Sequence, residues 1–118
     1  MEQQGYLWES AAQLETLLYE LVGWKSLSGT QGEIDFPHKL TAKFKELDYF
    51  KTNTDNIQLF DAGKDRNAFT ALYKTDKSSD TVVLISHFDT VGTEEYGQLQ
   101  ELAFNPEQLT QVFRDNPD

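Results

Sequence analysis

Two histidines occur in this 118-residue sequence, and one of them, His87, stands two residues before Asp89 in the stretch Thr-Val-Val-Leu-Ile-Ser-His-Phe-Asp-Thr-Val at residues 81–91. An imidazole nitrogen and a carboxylate oxygen are both ligands for zinc. In extended backbone, residues two apart point to the same side, so one member of the pair can hold a metal while the other reaches nearby. The residues before the pair, Val82, Val83, Leu84 and Ile85, form an uninterrupted aliphatic run that fits a strand buried on both faces. In open α/β sheets, ligands bind just beyond the carboxyl ends of such strands. A structural reading competes with this one. A His-x-Asp sequence is also ordinary in a capped turn or around a hydrogen-bonded imidazole, and spacing alone does not separate the two.

Two further stretches bear on the choice. Ser28-Gly29-Thr30-Gln31-Gly32-Glu33 is a turn followed by an apolar-periodic segment, and Tyr96-Gly97 is followed by Leu102-Ala103-Phe104-Asn105-Pro106-Glu107. Residues 84–91 resemble the first metal-binding signature of the co-catalytic zinc peptidases and amidohydrolases that include aminoacylase, acetylornithine deacetylase and succinyl-diaminopimelate desuccinylase. In that family an apolar strand leads into His-x-Asp-x-Val. Residues 28–33 are similar to the family's link between its first two helices, and residues 96–107 resemble its arginine-utilisation branch.

The resemblance implies hydrolysis of an amide or peptide bond in a small amino-acid or peptide derivative. The attacking hydroxide would be generated by two zinc ions, with a glutamate as base. It implies that His87 is a zinc ligand. Asp89 would not bind metal but would accept a hydrogen bond from the imidazole and fix its tautomer. No other position carries over, because the family's remaining ligands and its glutamate pair lie in later motifs that residues 92–118 lack. Glu94, Glu95 and Glu101 read as a solvated acidic loop. Catalytic zinc needs about three protein ligands. The chain, read as the opening third of a family member, is therefore expected to bind zinc weakly and to be inactive alone. The alternative is a non-catalytic interaction or regulatory module that retains the fold.

Composition narrows the partners. Twenty acidic and ten basic residues give a net charge of -10, which opposes binding to nucleic acid or to an anionic membrane. The absence of cysteine excludes disulfides and thiolate chemistry. Met1-Glu2-Gln3-Gln4-Gly5 lacks the features of a signal peptide, and no stretch approaches the roughly twenty apolar residues of a membrane span. The expectation is a cytoplasmic protein with one core.

The elements that must position the pair follow from periodicity. Ser10 with Gln13 reads as a capping box, and Ala11, Leu14, Leu17, Leu18, Leu21 and Val22 recur at helical spacing up to Gly23. Trp8 and Trp24 flank this helix as packing residues. Thr30 and Glu33 predict a second capping box, followed by a helix with the stripe Ile34, Leu40, Phe44 and Leu47. Pro37 predicts either a kink or a start nearer Asp35. His38 reads as a solvated or packing residue. Residues 48–56 are polar apart from Tyr49 and Phe50 and lead into a strand at 57–60, which pairs antiparallel with 68–74 across a loop at 62–67. Residues 92–103 predict a loop over the strand ends, and Asn105-Pro106 starts a last helix bearing Leu109, Val112 and Phe113. The fold expected is α/β: two amino-terminal helices on a mixed sheet of about three strands, plus a carboxy-terminal helix. An exposed sheet edge predicts self-association.

Overall fold

The computed structural model describes residues 9–117. The expected roles of Trp8 and of the first five residues lie outside them. Helix α1, Ala11–Gly23, starts at the predicted reciprocal cap. The Gln13 N–H donates to Ser10 Oγ (3.2 Å), and the Ser10 N–H donates to Gln13 Oε1 (3.0 Å). Two amides that the first turn cannot satisfy thus find side-chain acceptors.

Helix α2, Gln31–Phe44, begins at Gln31 and continues through Pro37, so the later start does not occur. The proline cannot donate to the carbonyl of Glu33, but its ring is fully buried, and that burial offsets the missing bond. The second capping box is also corrected. Thr30 is the N-cap residue without a side-chain cap, because its hydroxyl donates backwards to the Leu27 carbonyl (2.7 Å). The buried Glu33 carboxylate accepts instead from the Gly29 N–H (2.6 Å) and pairs with Arg66 (3.4 Å), tying the helix start to the hairpin. Lys43 Nζ reaches Glu20 Oε2 (2.7 Å) and joins α2 to α1.

The apolar face of α2 is centred differently from the predicted stripe, since Phe36 is buried while Ile34 and Leu40 are half-buried. The Phe36 ring meets Trp24 edge-on (centroids 5.1 Å apart) and stacks flat on Phe88 (4.6 Å). A second cluster joins Phe44 to Phe50 (5.4 Å) and to Phe69 (4.9 Å). Phe50 lies in a short helix, α3, Asp48–Thr52, followed by a 3-10 turn, Thr54–Asn56.

Strands β1, Ile57–Gly63, and β2, Arg66–Ala71, pair antiparallel with Leu59 opposite Phe69. Lys64 and Asp65 turn the chain with φ of 54° and 61°, the positive values that a two-residue hairpin turn matching strand twist requires. The fold is mixed α/β, but among the described residues its sheet has two strands, where about three were predicted.

The expected central strand is the principal correction. Val82, Val83, Leu84 and Ile85 form no ladder, and their exposures run from 72% to 92%. A β-branched run becomes a buried strand only between hydrogen-bonding neighbours, and the described residues offer this run none. Residues 92–103 are more ordered than a loop. They hold a 3-10 segment, Glu94–Leu102, broken at Gly97 by a positive φ of 54°. Helix α4, Pro106–Asp115, starts as predicted, with Asn105 Oδ1 accepting from the Gln108 N–H (3.1 Å), and it buries Leu109. Among the described residues no helix is long and apolar enough to cross a membrane.

Candidate functional site

The link between α1 and α2 is shaped by backbone. Lys25 has a φ of 56° and Gly29 a φ of 79°, left-handed values that suit glycine and strain lysine. A β-carbon on Gly32 would stand 2.0 Å from the Lys25 carbonyl oxygen, so the first turn of α2 lies directly against this link. The segment presents Ser26 and Ser28 to residues 88–90. The Thr90 N–H donates to the Ser26 carbonyl (2.9 Å), and the Ser28 N–H donates to the Thr90 carbonyl (3.0 Å), forming a parallel bridge between Leu27 and Thr90. The buried Ser26 hydroxyl donates to the Phe88 carbonyl. With Phe88 stacked on Phe36, residues 88–90 are fixed by backbone, hydroxyl and ring contacts together.

This clamp brings the two resembling stretches into contact. The Ser28 hydroxyl donates to Asp89 Oδ2 (2.9 Å) across 61 residues of sequence, and it also lies 3.1 Å from the Thr90 carbonyl. Asp89 Oδ1 is 3.3 Å from His87 Nδ1, and the Asp89 carbonyl oxygen is 3.0 Å from the same nitrogen. The Ser28 hydrogen bond is the main cause that holds the Asp89 carboxyl below its ordinary range; desolvation opposes it, and the smaller effect of His87 adds to the lowering. An ionised carboxylate and a carbonyl are both acceptors, so Nδ1 must carry the proton. In the neutral ring the other nitrogen, Nε2, then keeps a free lone pair, which is one of the two tautomers in which a histidine binds metal.

The His87 side chain is 85% exposed and that of Asp89 48%. Nε2 is therefore the nitrogen left for a ligand, on a side chain that is largely exposed. The donor set fits one position of a zinc coordination shell. Among the described residues no group of three or more His, Cys, Asp and Glu side chains comes together to complete it. His38 is exposed on α2. Sequence reasoning missed Ser28 as a member of the site. The residue stood in a stretch that drew attention as a turn, but nothing local announces a partner so far along the chain. Behind Phe88 lies an apolar cavity of about 310 Å³, lined by Leu21, Phe36, Phe88, Tyr96 and Phe104 among others.

The fold and site define an α/β segment that presents a solvent-facing, internally braced His-x-Asp pair. Its sequence is similar to two proteins of Bacillus subtilis (strain 168). Uncharacterized protein YqjN is 34% identical over 106 residues, covering 90% of this chain and 19% of its own length. Protein RocB is 33% identical over 110 residues, covering 87% of this chain and 19% of its own length. The chain thus spans about a fifth of the length of these relatives, less than the third that the resemblance implied. No protein-family profile matches it, and no solved structure does.

Proposed function

We propose that this chain is the amino-terminal part of the catalytic domain of a zinc-dependent hydrolase. Its substrate would be an amide or peptide bond in a small amino-acid derivative, within amino-acid or arginine catabolism in the cytoplasm. The observation that carries the reading is the bracing of His87: both acceptors facing Nδ1 belong to Asp89, which leaves Nε2 as a lone-pair donor on a largely exposed side chain. The resemblance of residues 28–33 and 84–91 to the zinc-peptidase signatures supports it. So does similarity over most of this chain to proteins about five times as long.

Zinc, when bound, lowers the pKa of its water enough to supply hydroxide near neutral pH for attack on the amide carbonyl. His87 contributes one ligand nitrogen. Asp89 keeps the imidazole in the ligand tautomer and raises its basicity. The glutamate base and the other ligands come from residues outside this segment, so the isolated chain hydrolyses nothing and binds zinc weakly.

The test is zinc content and hydrolysis of N-acyl amino acids by the protein as purified from its source cells, with and without His87→Ala. Bound zinc and activity that both fall in the variant are expected. Zinc content and activity indifferent to His87 would overturn the reading and favour a non-catalytic module.

A further inference from the structure

We infer that Ser28 is a positioning residue for the His87–Asp89 pair, acting through the Asp89 carboxylate. The inference rests on the hydrolase reading for its purpose, though not for its geometry. A carboxylate half open to water has several rotamers available and no reason to face its neighbour. Asp89 is held in one of them because Oδ2 accepts the Ser28 hydroxyl at 2.9 Å, which turns Oδ1 towards His87 Nδ1.

Ser28 can do this because its own backbone is fixed. Its N–H is committed to the Thr90 carbonyl, and the next residue, Gly29, gives its N–H to the buried Glu33 carboxylate. Gly32 is pressed against the Lys25 backbone. The hydroxyl therefore stands on a braced turn, and a charged acceptor makes its bond stronger than a neutral one. The arrangement differs from a nucleophilic triad. There the serine hydroxyl bonds to the imidazole, whereas here serine and histidine bind the carboxylate from opposite oxygens. Ser28 orients, and has no geometry for attack.

The experiment is the tautomer ratio of His87 in the metal-free 118-residue chain, read from long-range proton–nitrogen correlations on histidine-labelled protein. The pH is set on the alkaline plateau of the imidazole nitrogen shifts, where the spectrum itself shows the ring to be neutral. Wild type is expected to be mainly the Nδ1–H form. Ser28→Ala and Ser28→Val, the latter matching the shape of Ser28→Thr without its hydroxyl, are expected to lower the Nδ1–H to Nε2–H ratio roughly five-fold, the factor equivalent to one modest hydrogen bond. Ser28→Thr, which restores the hydroxyl, should return it.

An unchanged ratio in folded Ser28→Ala or Ser28→Val overturns the inference. Should those variants not fold, the unmutated chain decides. Vicinal couplings showing Asp89 in a single χ1 rotamer support the inference, and couplings averaged over several overturn it. No zinc is present, so failure here is distinct from failure of the hydrolase reading. A ratio that shifts as expected, in a protein whose zinc content ignores His87, keeps the positioning role and removes the hydrolase.

Discussion

Gly32→Ala is the substitution whose cost can be worked most directly from the structure. The added β-carbon would lie 2.0 Å from the Lys25 carbonyl oxygen, 2.9 Å from its carbon and 3.3 Å from the Trp24 oxygen. The first distance is more than about 1 Å inside an ordinary contact near 3.5 Å. Every atom it meets is backbone, so no side chain can swing away, and α2 must separate from the link. Overpacking of this kind costs typically 1–3 kcal/mol. Alanine recovers at most about 1 kcal/mol through helix propensity, and less in a first turn. A contact this short belongs at or beyond the upper end of the range, so the net loss is about 2 kcal/mol. With a urea slope of roughly 1–3 kcal/mol/M, the unfolding midpoint should fall by about 1 M. Gly29→Ala is the control in the same turn. Nothing lies within 4 Å of its β-carbon, but φ is 79°, so only the left-handed backbone is penalised, by about 1 kcal/mol. The expected order of midpoints in urea is wild type, Gly29→Ala, Gly32→Ala. A midpoint for Gly32→Ala equal to or above wild type would refute the close approach of helix and link.

Glu33→Ala strips an acceptor from the Gly29 N–H and a partner from Arg66. It should cost about 1–3 kcal/mol in urea unfolding, with Glu33→Gln milder because it keeps an acceptor oxygen. Asp89 titrates below its unfolded value near 3.8, so its contribution is fully present above that pH and is lost as pH falls through the lower folded value. Asp89→Asn should therefore flatten that part of the acid limb of stability, and an unchanged acid profile would show the carboxylate uncoupled from folding. The exposed run at residues 82–85 is apolar and uncharged, the composition of an edge that pairs with a second copy. Sedimentation should show concentration-dependent association, abolished in Val83→Lys/Ile85→Lys; a wild-type chain that stays monomeric at high concentration would count against it.

Sequence carried the local devices well. The Ser10–Gln13 cap, the end of α1 at Gly23 and the Asn105-Pro106 start of α4 each depend on residues within one or two turns; the hairpin was also legible, although the loop expected at 62–67 is only Lys64-Asp65 and the strand expected at 68–74 runs over Arg66–Ala71. It failed where one group had several local options. The Thr30 hydroxyl could cap forwards or donate backwards, and the Glu33 carboxylate was drawn to Gly29 and to Arg66, which lies 33 positions away. The short helix α3 stayed hidden because its five residues are too few for a helical repeat to show, and Phe50 is its one buried side chain. The approach of His87 to Asp89 was legible as an i, i+2 relation. The hydroxyl that braces Asp89 was not, because it depends on a tertiary crossing that no pattern in either stretch encodes.

The same crossing explains why the aliphatic run forms no strand. The bridge pairs Leu27 with Thr90 in parallel. Extending it two residues towards the run would set Lys25 beside Phe88, but Lys25 has a φ of 56° and Trp24 is in helical conformation at the end of α1. Neither can continue a ladder. Extension the other way meets Gly29 at a φ of 79°. Pairing is thus confined to one bridge by the turns that place Ser26 and Ser28. These turns hold Phe88, Asp89 and Thr90 firmly and leave residues 82–85 without a partner in this part of the fold. His87 stands at the boundary between the two, tethered from its downstream side by Asp89 and open on its other nitrogen. A segment that pairs with the run would fix the backbone on the upstream side of His87 as well, so strand addition at residues 82–85 and ordering of the imidazole are coupled.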